Sequence, residues 1–318
     1  MEAILLNIVS SSISSPKSIS SFKPTSHLLQ NQRILRFLSL KSKVNGYRHL
    51  QATSSFRIRY SKNGVAESQS LCLENIRDSL TRQEDSIIFS LLLRAQYCYN
   101  ADTYNPDAFA IEGFCGSMVE FIVGGTEKIH AQPGRYKSPH EHAYFPDHLP
   151  RSMLPHLQSQ QILHPCAGSI NINKKVWDGY FIDVLPRLVK AGNDGNCGSA
   201  AVCDTMCLQA LSRRIHYGKF VAEAKFQESR AEYEAAIRAQ DRAKLMELVT
   251  NESVEAIIKK RVEMKAKTFS RDITINPEED AAKPIYEVEP SLVVNMYDNW
   301  IMPLTKEVEV EYLLRRLE

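Results

Sequence analysis

Apolar residues recur at helical spacing along most of the chain after residue 70. Leu73, Ile76 and Leu80, for example, fall on one stripe of a helix with 3.6 residues per turn. The sequence contains no hairpin signal, no repeat and no GxGxxG motif, which disfavours a nucleotide-binding α/β fold. We predict an all-α, multi-helix single domain, with helices at residues 71–98, 114–130 (interrupted near Gly124 and Gly125), 174–191 (kinked at Pro186), 198–226, 231–249, 253–269 and 291–317 (kinked at Pro303).

Residues 211–226 form a basic helical segment without proline. Arg214 and Lys225 are eleven residues apart, which is roughly three turns, so both project from one face about 16 Å apart. Gly218 and Val221 lie between them, and a helical glycine costs about 1 kcal/mol relative to alanine, so it usually makes room for something close by. Two cations beside a bare patch could converge on a small dianion. A solvated basic face is the alternative, and the residues alone favour it.

The N-terminal segment 1–62 has a composition of its own, with ten lysines or arginines, one acidic residue and fourteen serines. A serine-rich, basic and almost acid-free N-terminus is typical of an organelle transit peptide. A basic arm that binds nucleic acid is the competing interpretation. We predict that residues 1–62 are a disordered transit peptide and that residues 63–318 form the folded domain; composition does not separate chloroplast from mitochondrion.

Removing that segment reverses the charge of the protein. The whole chain carries +2, whereas residues 63–318 carry 29 basic against 36 acidic residues, a net charge of −7. A domain of that sign is a poor candidate for nonspecific nucleic-acid binding. No apolar run approaches the roughly 20 residues of a membrane span, so we predict neither nucleic acid nor membrane as a partner.

Cysteine and histidine patterns give no metal signature. The seven cysteines are odd in number and lack CxxC spacing, which disfavours a disulfide framework and a zinc ribbon. His140, His142 and His148 fall in a proline-bounded loop without an HExxH pattern. We therefore predict no metal site.

Two polar pairs lie four residues apart on predicted helices: Asn251 with Glu255, and Thr305 with Glu309. Asn251 has an ordinary explanation as a helix cap, and Glu255 could equally be a surface acid. Thr305 and Glu309 border the apolar stripe of the last helix, which turns them inward. A carboxyl at the edge of a core either pairs with a cation or keeps its proton.

Several separated motifs together resemble the eukaryotic, all-helical chorismate mutases. They are residues 75–78 (NIRD), 83–89 (QEDSIIF), 145–147 (FPD), the 211–226 segment and the chain end 304–318. The resemblance covers residues 71–318, in order and in spacing. It implies a homodimeric, cofactor-free isomerase that rearranges chorismate to prephenate in phenylalanine and tyrosine biosynthesis. Together with the transit-like segment it implies the plant plastidial type, located in the chloroplast stroma.

The resemblance also implies an active site. The reaction is pericyclic, so an enzyme helps by holding the reactive conformer and by stabilising charge on the ether oxygen. By resemblance, Arg77 and Arg214 pair the two substrate carboxylates, while Lys225 and Glu309 donate hydrogen bonds to the ether oxygen. The remaining implied residues, which orient the ring hydroxyl and its surroundings, are Asn251, Glu255 and Thr305.

An effector site is implied at the start of the long helix. Gly198 and Ser199 open that helix, and free amides at a helix start attract a carboxylate, although an ordinary glycine-rich cap is the alternative. With Arg135 they resemble the family's dimer-interface site, where tryptophan activates and tyrosine or phenylalanine inhibits. Gly134 and Val202 stand where fungal relatives carry arginine and threonine. The rival function is a noncatalytic helical amino-acid sensor or an inactive paralogue.

Overall fold

The computed structural model describes residues 73–153, 162–271 and 284–318. The predicted transit segment 1–62 lies outside these ranges. The described helices are α1 (Leu73–Ala95), α2 (Met118–Ala131), α3 (Asn173–Gly179), α4 (Leu185–Leu188), α5 (Cys197–His216), α6 (Gly218–Glu228), α7 (Arg230–Arg238), α8 (Arg242–Val249), α9 (Glu252–Phe269), α10 (Pro290–Met296) and α11 (Met302–Leu314).

The all-α prediction is confirmed. In the described ranges the β structure is limited to one isolated antiparallel bridge between Arg271 and Tyr286. Short 3₁₀ turns occupy the connections. None of the helices in those ranges is long and apolar enough to cross a bilayer.

Helix α2 starts later than predicted and runs without interruption. Ser117 and Glu120 form a capping box, because the Ser117 side chain accepts from the Glu120 amide and the Glu120 side chain accepts from the Ser117 amide. The predicted start at residue 114 is therefore wrong. The predicted interruption at Gly124 and Gly125 is also wrong. Each glycine costs about 1 kcal/mol of helix stability, and the burial of Val119 and Val123 on the same helix offsets that cost.

Each of the two prolines at which a kink was predicted, Pro186 and Pro303, follows a π-helical turn. The turn Tyr180–Val184 precedes Pro186, and the turn Tyr297–Ile301 precedes Pro303. Proline lacks an amide hydrogen and its ring excludes the carbonyl four residues back, so a wider turn before it relieves the clash.

Two predicted helices are each divided in two. The predicted 198–226 helix breaks at Tyr217, so Arg214 lies on α5 and Lys225 on α6. The predicted 231–249 helix breaks at Gln240, which adopts a positive φ of 52°. Asp241 then caps α8 by accepting from the Lys244 amide at 2.9 Å.

Helix α5 is central to the core and packs against α1, α2 and α11. It contributes Leu208, Leu211 and Ile215, while α1 contributes Ile87 and Leu91, all without exposed surface. Each such side chain contributes about 1.5–3 kcal/mol on burial. Helix α11 lies along α6 and α8. This pairing positions the polar residues described next.

A fully buried ion pair joins α1 to α5. Arg94 Nε lies 2.7 Å from Asp204 Oδ1, and neither side chain has exposed surface. The hydroxyls of Tyr104 and Tyr180 each donate to Asp204 at 2.7 Å. The Arg94 guanidinium also donates to main-chain carbonyls of the turn that follows α1. All of these groups therefore have protein partners.

Candidate active site

Helices α6 and α11 approach each other closely at Gly218. A Cβ atom at this position would lie 2.8 Å from the Thr305 carbonyl oxygen and 3.3 Å from Glu309 Cγ. A glycine is therefore required at this position, as predicted. The space beside it is filled by the backbone of α11 and not by a ligand.

Lys225 and Glu309 form an ion pair across this interface. Lys225 Nζ lies 2.9 Å from Glu309 Oε2 and donates to the Val249 carbonyl oxygen at 2.6 Å. Glu309 is almost completely buried, and Lys225 is about one quarter exposed. An ammonium has three donors, so one hydrogen of Lys225 is left for a ligand.

Burial raises the pKa of the Glu309 carboxyl, and the positive charges of Lys225, Arg214 and Lys306 offset this rise only in part. The sequence left open which influence dominates. In the folded protein burial dominates, so Glu309 holds its proton to higher pH than an ordinary glutamate does.

Arg214 contacts α11 at Thr305, one helical turn before Glu309, the partner of Lys225. Its Nη1 donates to the Thr305 hydroxyl at 3.3 Å, and that hydroxyl donates to the Ile301 carbonyl oxygen at 2.6 Å. Arg214 is buried, yet its Nε has no hydrogen-bond partner among the described residues. Although a helix break separates Arg214 from Lys225, the two contact neighbouring turns of α11, through Thr305 and Glu309.

Tyr297 extends this cluster and was not singled out from the sequence. Its hydroxyl is buried and has no hydrogen-bond partner within the described ranges. Burial raises its pKa, while the nearby charge of Arg214 lowers it. Tyr297 lies in the π turn before Pro303. Because a π turn changes the number of residues per turn, α-helical spacing in the sequence does not predict which face Tyr297 occupies.

Asn251 and Glu255 lie at the start of α9. The Asn251 side chain caps the helix, accepting from the Val254 amide at 3.1 Å and from the Ser253 hydroxyl at 2.7 Å. Glu255 pairs with Lys306 Nζ at 2.9 Å, which links it to α11 beside Thr305. Lys306 is thus a further charged group that sequence reasoning missed, and adjacency to Thr305 was the available signal.

Arg77 makes no described contact with the other predicted site residues. It is exposed on the first turns of α1, and its guanidinium has no hydrogen bond or ion pair with any described residue. Farther along α1, the buried carboxylate of Glu84 accepts from Arg261 at 2.8 and 2.6 Å and pairs with Lys265 at 3.1 Å. These bonds tie α1 to α9.

The implied effector residues lie apart within one chain. Arg135 donates to Glu141 at 2.9 Å and to Gln209, near the middle of α5, also at 2.9 Å. Gly198 and Ser199 are exposed on the first turn of α5, about 16 Å away along the axis. Asn196, which precedes α5, makes no side-chain cap hydrogen bond there.

One of the loop histidines, His142, contacts a buried lysine. Lys219 has no exposed surface, and its ammonium donates to the carbonyl oxygens of Pro139, Ala167 and Ile170 and contacts His142 Nε2 at 2.5 Å. Across the described ranges, no group of three or more histidines, cysteines or carboxylates is placed to hold a metal ion.

A family model, related sequences and solved structures all match this chain to the same family. A family model described as chorismate mutase type II matches residues 197–310. Chloroplastic chorismate mutase 3 of Arabidopsis thaliana is 60% identical over 303 residues, covering 93% of this chain and 96% of that protein. Crystal structures of AtCM1, with tyrosine or phenylalanine bound in its allosteric site, match at 62% identity and TM-score 0.72, over 79% of this chain and 99% of that one.

A more distant structure agrees. The Aro7p chorismate mutase of Candida albicans, in complex with L-Trp, is 37% identical with a TM-score of 0.72, over 78% of this chain and 92% of that one. The fold, the order of motifs and the identity over nearly the whole length therefore point the same way. The chain belongs to the chorismate mutase family of isomerases.

Proposed function

We propose that the chain rearranges chorismate to prephenate at the cluster formed by Arg214, Lys225, Thr305 and Glu309. The observation that carries this proposal is the spare hydrogen-bonding capacity of three buried or half-buried groups. Lys225 has one donor left, Arg214 Nε has no described partner, and Glu309 is held toward its protonated form.

The reaction breaks an ether C–O bond while a C–C bond forms, so partial negative charge develops on the ether oxygen. Lys225 directs its third hydrogen to that oxygen. Glu309 accepts from Lys225 with Oε2 and donates from its protonated Oε1. Two donors fixed before the reaction stabilise the transition state without reorganisation.

Arg214 binds one substrate carboxylate through Nε, because a guanidinium fork matches a carboxylate better than an ammonium does. The Thr305 hydroxyl fixes the other edge of the guanidinium. Arg77 is free to bind the second carboxylate when substrate is present. Asn251 and Glu255, held at the start of α9, orient the ring hydroxyl.

Incubation of residues 63–318 with chorismate tests this proposal directly. We expect prephenate to form without any added metal or cofactor. Matched samples of Lys225→Ala and Lys244→Ala separate the loss of a site residue from the loss of a surface charge, since Lys244 pairs among the described residues only with exposed Glu247. If folded protein gave no turnover at saturating chorismate, a noncatalytic amino-acid sensor would be the better description.

Targeting to the plastid stroma fits the composition of residues 1–62 and the chloroplastic names of relatives such as the Arabidopsis protein. We expect residues 1–62 to direct a fluorescent fusion into isolated chloroplasts. A chain that starts at Val65 should keep its helicity and turnover. Loss of solubility on truncation would place the segment in the fold instead.

The exposed face of α5 supports the proposal of a homodimer. Ser199, Val202 and Met206 share that face, and Val202 and Met206 are about half exposed despite being apolar. Because Arg135 and Gly198 are far apart in one chain, a second copy is needed to bring the two halves of an effector site together. Val202→Asp should shift the mass measured by light scattering from dimer to monomer, whereas Ile257→Asp on α9 should not.

Aromatic amino acids bind at that combined site, by analogy with AtCM1 and Aro7p. We expect tryptophan to raise turnover and tyrosine or phenylalanine to lower it, with a coupling of about 1–3 kcal/mol. Gly198→Pro removes one amide donor from the first turn of α5 and should weaken the tryptophan response while keeping most basal turnover. An unchanged response would place the effector site elsewhere.

A further inference from the structure

Helices α6 and α11 are joined by a second polar cluster that the proposed reaction does not use. The carboxylate of Glu223 on α6 is buried, with 1% of its side chain exposed. It accepts from Arg316 Nε at 2.6 Å and Nη2 at 2.9 Å, from Gln227 at 2.9 Å and from the Tyr312 hydroxyl. The Arg316 bond is bidentate, which fixes orientation as well as distance.

The same cluster anchors the end of the chain. The Arg316 guanidinium also lies over the Phe226 ring, 4.8 Å from its centroid. The Tyr312 hydroxyl in turn accepts from the His164 amide at 3.0 Å. The ion pair and the ring contact of the Arg316 guanidinium therefore both go to α6, although Arg316 itself follows α11.

This cluster lies on the same two helices, α6 and α11, as the proposed ether-oxygen donors. Glu223 precedes Lys225 by two residues on α6, and Tyr312 follows Glu309 by three residues on α11. At the opposite end of the interface, Gly218 rests against the Thr305 carbonyl. On α11, Glu309 thus lies between Thr305, which contacts Gly218, and Tyr312, which contacts Glu223, and these two contacts fix how far α11 can slide along α6.

We propose that Arg316, through its bidentate bond to Glu223, is a positioning residue that holds Lys225 and Glu309 in register for the reaction. The inference rests on the proposed roles of Lys225 and Glu309. A displacement of about 1 Å in a reacting pair can cost on the order of 10²-fold in rate. A modest shift of α11 is therefore visible in turnover before it unfolds the protein.

The test compares kcat, KM and the pH profile of Arg316→Ala, Arg316→Lys and Glu223→Gln with wild type. Arg315→Ala is the matched control, because Arg315 contacts Ser169 and Glu318 but not α6. We expect Arg316→Ala to lower kcat about tenfold with little change in KM, and Arg316→Lys to fall between it and wild type. Arg315→Ala should stay within about twofold of wild type.

The pH profile separates positioning from simple stabilisation. If Lys225 moves away from Glu309, it lowers the Glu309 pKa less, so the alkaline decline of kcat should move to higher pH. Folded Arg316→Ala with wild-type kcat and an unmoved alkaline limb would overturn the inference. Should Arg316→Ala fail to fold, Arg316→Lys and Glu223→Gln decide by the same two readouts. A wild type without turnover would overturn the proposed function and this inference together.

Discussion

The two ion pairs Arg94–Asp204 and Lys225–Glu309 differ in how completely their hydrogen-bonding groups are used. In the first, both Asp204 oxygens accept, and the Arg94 guanidinium donates to Asp204, to Tyr104 and to nearby carbonyls. In the second, Lys225 makes two of its three possible hydrogen bonds.

The neighbours of the two pairs differ in the same way. Tyr180, beside Asp204, donates its hydroxyl to that carboxylate, whereas the hydroxyl of Tyr297 in the candidate active site has no described partner. A buried polar group without a partner costs free energy, and a ligand that supplied the partner would remove that cost. The two pairs thus differ in saturation: Arg94–Asp204 joins helices with every group used, whereas Lys225–Glu309 keeps a donor available for the proposed substrate.

The largest effect is expected from breaking the saturated pair. Arg94→Met should lower the free energy of unfolding by about 3–5 kcal/mol, because it leaves the Asp204 carboxylate buried without a counter-charge. Chemical denaturation measures the change. The double variant Arg94→Met/Asp204→Leu should recover part of the loss. A single variant as stable as wild type would show that Asp204 is compensated by its tyrosines alone.

Breaking the unsaturated pair should affect turnover instead of stability. Lys225→Ala should lower kcat about 10²-fold or more, because it removes a donor that acts on transition-state charge. Its unfolding free energy should change little, since Glu309 can take up a proton when its partner is lost. Steady-state kinetics and denaturation of the same sample check both statements. Strong destabilisation with retained kcat would instead show that the Lys225–Glu309 pair stabilises the fold and does not act in the reaction.

Two glycine substitutions test how tightly α6 and α11 must approach. Gly218→Ala places a methyl group 2.8 Å from the Thr305 carbonyl oxygen and should destabilise the protein by about 1–3 kcal/mol, with reduced turnover. Gly124→Ala is the control: its nearest neighbour would be 3.8 Å away, so it should stabilise α2 by about 0.5–1 kcal/mol. Thermal unfolding should therefore show opposite signs, and equal signs would refute the close approach.

The smallest change in turnover at low pH is expected from Glu309→Gln. This variant is also the most specific test, because it concerns the proton of Glu309 alone. The buried carboxyl has a raised pKa, and its protonated form is the donor, so wild-type turnover should fall as pH rises through that pKa. Glu309→Gln keeps a donor at every pH and should flatten the decline. Glu307→Gln, which alters a partly exposed residue of α11 paired with Lys175, should keep it. A Glu309→Gln profile identical to wild type would make Glu309 a structural acid.

Much of the fold was predictable because helical periodicity and caps are local. The sequence alone determined the all-α class, the long helices α1 and α9 to within a few residues, the start of α5, and the family, through motifs such as 83–89 and 304–318. It also named Lys225 and Glu309. The breaks at Tyr217 and Gln240 were missed, since each depends on how the following helix packs elsewhere.

Only the tertiary structure decided which charges are satisfied and which remain available. Lys225 and Glu309 are 84 residues apart, and Arg94 and Asp204 are 110 apart, so no local pattern reports their pairing. The direction of the Glu309 pKa shift required the balance between burial and the approach of Lys225, which depends on Gly218. Propensity acts over a few residues, whereas desolvation and hydrogen-bond saturation depend on every element packed around a group.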